Sequence, residues 1–243
     1  VRLPELASSQ QGLLALRVEG RTLEVLRSAN LRAVDWGFTG PVDAHIFGHG
    51  NTALILEQGS VPTRWQLREV DLTTGRVLAA LAQGDGAPQS MDVDPMGRTV
   101  FVGSSTHIVR LDVFTGQQLG IAVPHNFSDG PRGLAALGNQ VVLATGDVSD
   151  GVSVDGQLRR YDFSPGFVDD DVLLSGLHRP WGLALDPLRT TAVYLAERDF
   201  DDGAGAADGR VAAVDLNRLV LEPIAALVDA SKLGEILLPK PTS

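Results

Sequence analysis

The chain repeats one short pattern at nearly regular intervals. A proline is followed two residues later by a small or polar residue and then by an apolar stretch, and successive copies start 47, 43 and 49 residues apart. Units of this length that recur along a chain indicate a repeat architecture, in which each unit is one supersecondary module. The four copies begin at Pro41, Pro88, Pro131 and Pro180.

Each copy contains a second landmark, an alternating run of apolar and polar residues that ends in aspartate. Alternation with a period of two that leads into a turn is typical of a strand entering a hairpin. Aspartate before a turn accepts hydrogen bonds from the N–H groups of the turn, so a structural role is predicted for these carboxylates rather than a catalytic one. They are Asp71, Asp112, Asp162 and Asp215.

An apolar run typical of a buried strand lies between the two landmarks, for example at residues 52–57 and 99–103. With the strand after the proline, the strand that ends in aspartate and an exit strand such as residues 76–81, each unit contains four short strands. Four antiparallel strands in each unit, with almost no helical periodicity, predict the blade of an all-β β-propeller.

The two ends of the chain complete the predicted ring. Residues 12–18, 22–26 and 31–34 are typical of a blade without its first strand, and residues 234–238 fall where that strand is expected. A C-terminal strand lent to an N-terminal blade leaves no open edge. We therefore predict one domain of five blades, and the alternative is part of a six- or seven-bladed chain. The predicted blades are residues 8–40 with 234–238, 41–84, 85–127, 128–177 and 178–233.

The fourth copy resembles NHL-type and YVTN-type β-propeller repeats. The residues that carry the likeness are Arg179-Pro-Trp-Gly-Leu-Ala-Leu-Asp-Pro187 and the following Ala192-Val-Tyr-Leu-Ala-Glu197, and the likeness extends over about residues 41–216. The resemblance implies the propeller fold. Such families include binding scaffolds, surface proteins, and lactonases and lyases that hold a divalent metal in the central channel, so the resemblance does not choose among these functions.

Charge and cysteine content exclude several classes of function. The sequence has 20 Lys and Arg against 30 Asp and Glu, a formal net charge of -10, which would repel a phosphate backbone, so nucleic acid is not an expected partner. Cysteine is absent, which excludes disulfides, thiolate metal sites and a cysteine nucleophile. No apolar run reaches the roughly 18 residues of a membrane span, so no transmembrane helix is expected.

The first residue is valine and no initiator methionine precedes it. Signal cleavage or excision from a longer precursor would leave such a start, and so would an artificial boundary. An exported protein, periplasmic or secreted, is the expectation.

The predicted topology brings two kinds of connection to one face. The loops that enter the first strand of each blade and the loops between its second and third strands emerge around the mouth of the channel. The second kind is short at residues 103–107 and expanded at residues 146–156 and 198–209. Expanded loops on a rigid scaffold are the usual place for recognition, so any site is expected on this face.

Polar residues at the start of the first strands are candidates to line the channel. Carboxylate, imidazole and guanidinium groups together could bind a ligand, or hold a metal and polarise a substrate carbonyl. The alternative is an ordinary polar lining around water. No catalytic residue is singled out by the pattern. The candidate ligand-binding residues are Asp43, His45, Asp92, Arg132, Arg179, Trp181 and Glu197.

The expanded loop of the fourth copy combines aspartates with glycines. Calcium takes six to eight oxygen ligands, which such a loop partly provides. No glutamate closes the loop with EF-hand spacing, and Asp/Gly loops are also common as plain solvated turns. The plain solvated turn is the favoured interpretation, and calcium is the candidate cofactor in the alternative. The candidate metal ligands are Asp199, Asp201, Asp202 and Asp208.

Three functions agree with these features. The favoured one is an exported, non-catalytic propeller whose loop-rich face binds a protein or a glycan. The second is a metal-dependent enzyme of the lactonase or lyase kind with a divalent cation at the channel mouth. The third is a subunit of a larger extracytoplasmic assembly.

Overall fold

A computed structural model of the chain describes most of its central part. Within the described residues all regular secondary structure is β-strand. No helix in these ranges is long and apolar enough to cross a membrane. The described residues are 13–19, 22–29, 40–47, 51–71, 74, 76–125, 127, 130–146, 148–149, 152–153, 156–163, 168–178, 180–186, 191–197 and 210–223.

The first two strands form an antiparallel hairpin, β1 (Leu13–Glu19) and β2 (Thr22–Ala29). The strands predicted at residues 31–34 and 234–238 lie outside the described residues. Closure of the ring by a fifth blade, and the blade boundaries, therefore stay predictions.

The next strands form four antiparallel sheets of four strands each, every one a simple up-and-down meander. This arrangement is that of propeller blades, which confirms the predicted fold class. The strands of each sheet are given from the innermost to the outermost. Sheet I contains β3 (Pro41–Phe47), β4 (Thr52–Gln58), β5 (Arg64–Asp71) and β6 (Arg76–Asp85). Sheet II contains β7 (Pro88–Val93), β8 (Thr99–Ser104), β9 (His107–Asp112) and β10 (Val123–Pro124). Sheet III contains β11 (Pro131–Leu137), β12 (Gln140–Thr145), β15 (Gly156–Asp162) and β16 (Asp169–Leu177). Sheet IV contains β17 (Pro180–Leu185), β18 (Ala192–Glu197), β19 (Arg210–Asp215) and β20 (Val220–Pro223).

Two further short strands, β13 (Val148–Ser149) and β14 (Val152–Ser153), pair in the connection between β12 and β15. The sequence predicts this connection as an expanded loop. The hairpin of β13 and β14 was therefore not predicted from the sequence.

Each innermost strand starts at one of the four repeat prolines and is bulged directly after it. Proline has no N–H to donate to a ladder, so the first residue of a strand is a position that it occupies without loss. A bulge leaves one residue out of the pairing and increases the local twist. The four bulged residues are Val42, Gln89, Arg132 and Trp181.

The hydrophobic core lies between consecutive sheets, which explains the apolar second strands. Leu54 and Leu56 of sheet I pack with Val100 and Val102 of sheet II, and all four are fully buried. Phe101, on the opposite face of β8, packs edge-on against Phe163, which directly follows β15 of sheet III. Another apolar cluster joins sheets III and IV. Strands buried on both faces need continuous apolar runs. Burial of each such side chain stabilises the fold by about 1.5–3 kcal/mol.

The residue two positions after each proline contacts the neighbouring sheet. Asp43 Oδ2 accepts a hydrogen bond of 2.9 Å from the backbone N–H of Met91. Ser90 Oγ donates one of 2.7 Å to the carbonyl of Pro131. The small or polar residue that recurs after the proline is thus explained by contact between blades.

At Gly133 the same position has no room for a side chain. A Cβ there would lie 2.5 Å from the backbone nitrogen of Leu183, so β11 and β17 approach each other backbone to backbone. The innermost strands lie side by side in the order β3, β7, β11 and β17. Together they form one wall of a central channel.

Candidate functional site

The innermost strands border an open cavity of about 1140 Å³. Four of the predicted ligand-binding residues line it together. They are on three strands of three sheets. These four residues are Asp43, His45, Asp92 and Arg132.

Asp43 is held by two backbone N–H groups. Its Oδ2 bonds Met91 as described above, and its Oδ1 accepts a hydrogen bond of 2.8 Å from the N–H of Ala44. Burial raises the pKa of Asp43, and the two hydrogen bonds oppose that rise. The carboxylate therefore joins sheets I and II while it faces the channel.

His45 and Asp92 form a pair across the boundary between sheets I and II. Nδ1 of His45 lies 3.3 Å from Oδ1 of Asp92, and the side chains are 35% and 22% exposed. The other oxygen of Asp92 accepts a 2.9 Å hydrogen bond from the N–H of Ala136 in sheet III. A carboxylate at Nδ1 favours a proton on that nitrogen and leaves Nε2 with a lone pair. An imidazole oriented in this way can accept a proton from a bound molecule.

Arg132 is the bulged residue of β11 and lines the cavity. The bulge places it directly after Pro131, where the chain enters the channel wall. A guanidinium presents donors to carboxylate or phosphate groups in a fixed fork.

The sequence reasoning missed two further carboxylates that line the cavity, Asp94 and Asp186. Both stand in Asp-Pro dipeptides just after an innermost strand, and the recurrence of this dipeptide was the available sign. Asp94 Oδ1 accepts hydrogen bonds of 2.7 and 2.6 Å from the N–H groups of Arg98 and Thr99. The hydroxyl of Tyr194 donates to Asp186 at 3.2 Å. Both carboxylates thus organise the far end of their sheets.

The carboxylate of Glu197 is 3% exposed and accepts a 2.7 Å hydrogen bond from the backbone N–H of His178. Glu57 occupies the equivalent end of its strand, and its Oε1 lies 2.6 Å from Nε of Arg68. Both glutamates pair with the start of an innermost strand, at Pro180 and Pro41. They secure the chain where it enters the channel wall.

The remaining predicted site residues lie outside the described part of the chain. They are Arg179, the side chain of Trp181, and the four proposed calcium ligands Asp199, Asp201, Asp202 and Asp208. Within the described residues, no group of three or more His, Asp or Glu side chains could hold a metal ion. Calcium binding at the fourth-unit loop stays a prediction.

One end of the sheets carries the connections that vary most, and we call it the loop-rich face. It comprises the starts of the innermost strands and the connections between the second and third strands of each sheet. In sheet II that connection is only residues 105–106, whereas in sheet III it spans residues 146–155 and contains β13 and β14. The corresponding connection of sheet IV lies outside the described residues.

The aspartates that end the third strands close turns at the opposite end, as predicted. Asp112 Oδ1 accepts hydrogen bonds from the N–H of Phe114 at 3.0 Å and from the N–H and hydroxyl of Thr115 at 2.8 and 2.9 Å. Asp215 accepts bonds of 2.9 and 3.2 Å from the next turn in the same way. These contacts confirm a structural role for both carboxylates.

Comparison with known proteins identifies the fold. No family model matches the chain, and no curated protein matches it. Among solved structures, the Swd1 (Cps50) β-propeller domain of Myceliophteria thermophila is 12% identical with a TM-score of 0.52, over 75% of this chain and 54% of that one. A structure described as TolB from Agrobacterium tumefaciens is 13% identical with a TM-score of 0.56, over 89% of this chain and 70% of that one.

The chain thus spans about half the length of the Swd1 domain that it resembles, 54%. At these identities the likeness establishes the propeller fold alone. An NHL or YVTN family membership stays a resemblance of the repeat.

Proposed function

We propose that the protein is a non-catalytic β-propeller that binds another protein or a glycan through its loop-rich face. One observation supports this most: the channel carboxylates Asp43 and Asp92 are engaged by backbone N–H groups of the neighbouring sheet. Their hydrogen bonds hold blades together, so the channel wall acts as scaffold. Rigid scaffolds of this kind recognise partners with the loops that they carry.

The connection with β13 and β14 is the part of the loop-rich face that we expect to contact the partner. The purified protein is immobilised and screened against a glycan array and against fractionated extracytoplasmic proteins. The affinity is then measured for the identified partner in purified form. Replacement of residues 147–155 by Asn-Gly, which can join β12 and β15 in a tight hairpin, is expected to weaken binding at least about tenfold.

The matched control lies at the opposite end of the sheets. Phe114, which is 69% exposed in the turn after β9, is replaced by serine. Binding by this variant is expected to equal that of the wild type. Loss of binding in Phe114→Ser together with full binding by the shortened loop would contradict the proposal.

A second candidate is a metal-dependent hydrolase or lyase, and the His45–Asp92 pair beside the cavity favours it. In such an enzyme His45 would take a proton from water or substrate. The dialysed protein is analysed for divalent metals and assayed with lactones and esters. Activity that falls at least about a hundredfold in His45→Gln but not in His107→Gln would establish the enzyme. A protein that contains no divalent metal and shows no turnover in these assays would contradict this second candidate.

The predicted location outside the cytoplasm, periplasmic or secreted, stays a prediction that fractionation of the source cells tests. A protein found only in the cytoplasm would contradict it.

A further inference from the structure

His125 lies in the connection that leads from β10 to β11, at the loop-rich face. Three hydrogen bonds hold it there. Its backbone N–H donates to the carbonyl of Thr106 at 3.0 Å, its Nε2 lies 2.8 Å from the carbonyl oxygen of Ser104, and its Nδ1 lies 3.3 Å from the backbone nitrogen of Phe127. One side chain therefore ties this connection to the short loop between β8 and β9.

The contact with Phe127 requires a neutral imidazole. A carbonyl oxygen only accepts, so Nε2 must carry a proton and donate it to Ser104. The N–H of Phe127 only donates, so Nδ1 must keep its lone pair. Protonation of His125 would place a second N–H on Nδ1, directed at the N–H of Phe127. The bond from Phe127 would then be replaced by a repulsive contact between two donors.

Burial also disfavours a positive charge on His125. The ring is stacked on that of Phe127, with centroids 4.5 Å apart and an interplanar angle of 19°. The guanidinium of Arg159 lies over the other ring, 5.6 Å from its centroid. Burial lowers the pKa of His125, the hydrogen bond with Ser104 opposes this, and the charge of His107 lowers it further.

The charged groups that face this cluster within the described residues are few. His107 begins β9 and its Nδ1 contacts the hydroxyl of Thr106 at 2.9 Å. Arg159 on β15 makes two hydrogen bonds to Asp170 on β16, of 3.1 and 2.5 Å. The carboxylate of Asp170 is thus engaged by Arg159.

The connection leads directly to the channel mouth. The N–H of Gly130 donates to the carbonyl of Phe127 at 3.4 Å, and Gly130 has a φ of +54°. The next residue, Pro131, starts β11, and its carbonyl accepts the hydroxyl of Ser90. Arg132 follows at the cavity. A change at Phe127 is therefore only a few residues away from the polar groups of the mouth.

We propose that His125 is a pH-sensitive latch, whose protonation in mildly acidic surroundings breaks the hydrogen bond from the N–H of Phe127 and releases Phe127 at the loop-rich face. Release is a property of the protein alone. Its consequence, a weaker hold on a partner at acidic pH, rests on the proposed function.

The latch is tested on the purified protein without any partner. Hydrogen exchange of the amides of His125 and Phe127 is measured between about pH 7.5 and about pH 5, and corrected for the intrinsic exchange rate. We expect the protection of the Phe127 amide to fall at least about tenfold over this range, while the His125 amide, which donates to Thr106, and amides of β12 stay protected. NMR titration of the imidazole is expected to give a pKa below the ordinary value of about 6.5.

The matched variant is His125→Gln, which keeps a donor for the carbonyl of Ser104 and cannot be charged. Its protection is expected not to change with pH, whereas His107→Gln should behave as the wild type does. Constant protection in the wild type, or a fall that persists in His125→Gln, would overturn the latch. If the variant does not fold, the wild-type titration decides alone, and a pKa of His125 at or above the ordinary value would overturn it. Partner binding that fails at every pH, with the latch intact, would count against the proposed function only.

Discussion

The carboxylates that line the channel and those that end the third strands both accept hydrogen bonds from backbone N–H groups, but their partners lie at very different distances along the chain. Asp43 and Asp92 accept backbone N–H groups 48 and 44 positions away, in the neighbouring sheet. Asp112 and Asp215 accept N–H groups two and three positions away, in their own turn. The turn aspartates recur at equivalent places in every unit, whereas Asp43 and Asp92 stand two and four positions after their repeat prolines. The contact inside a turn is thus the same from one unit to the next, whereas the contact between blades changes with the boundary.

The largest effect on stability is expected at Asp92. This residue of sheet II contacts both His45 of sheet I and Ala136 of sheet III. Asp92→Ala removes the acceptor for Ala136 N–H and the partner of His45, and leaves a shielded N–H without its bond. We expect the free energy of unfolding to fall by about 2–3 kcal/mol in urea denaturation.

The control for that variant is Asp85→Ala. Asp85 is 77% exposed and pairs with Arg64, which is 55% exposed, at 3.2 Å. An exposed pair contributes about 0–1 kcal/mol. Equal losses in the two variants would show that the contact of Asp92 with the neighbouring sheet is not what stabilises the fold.

An intermediate effect is expected at Asp43. Asp43→Asn keeps one acceptor oxygen but turns an N–H₂ group towards a backbone donor, which should cost about 1–2 kcal/mol at neutral pH. Burial raises the pKa of Asp43, so the folded state holds the proton more tightly than the unfolded state does. The contribution of this group is then largest at low pH and declines as pH rises above its ordinary pKa of about 3.9.

That decline is measured by comparing denaturation of wild type and Asp43→Asn at several pH values. The advantage of the wild type should shrink as pH rises from about 4. An advantage that grows over the same range would mean that the hydrogen bonds outweigh burial at this site.

The smallest effect is expected at Asp112, which lies at the surface. Hydrogen bonds from Thr115 lower the pKa of Asp112, with a further one from Phe114. The pH dependence of stability is therefore opposite to that at Asp43. The stability contributed by Asp112 is present above its ordinary pKa of about 3.9 and is lost as pH falls through the lowered value. Asp112→Asn should lower the thermal midpoint less than Asp43→Asn does at neutral pH, and the difference from wild type should vanish in acid. A pH dependence of the same sign for both variants would erase the distinction between the two kinds of carboxylate.

The local features of the fold could be predicted because each has a steric cause within a few residues. Proline starts the innermost strands because it lacks an N–H, and aspartate ends the third strands because it bonds the turn. The continuous apolar run of β8 predicts a strand buried on both faces, and the structure buries it completely.

The features that could not be predicted depend on partners far away in sequence. The sequence predicts Glu197 at the channel mouth, but its hydrogen bond from the N–H of His178, 19 positions away, could not be predicted from the local pattern. The role of His125 could not be predicted either, because no other metal-ligating residue stands at a characteristic spacing from it in the sequence. Its hydrogen bonds depend on Ser104 and Phe127, which the fold brings around the imidazole. Asp94 and Asp186 were visible in the repeat, but their place at the cavity follows from the packing of sheets.

The bulge that follows each repeat proline gives the channel entrance an unusual freedom. An unpaired residue can be exchanged without disturbing the ladder on either side, and the four such positions already carry an aliphatic, an amide, a cationic and an aromatic residue: Val42, Gln89, Arg132 and Trp181. We therefore expect substitutions at Val42, Gln89 and Arg132 to change the side chains beside the cavity while the pairing of the innermost strands stays the same.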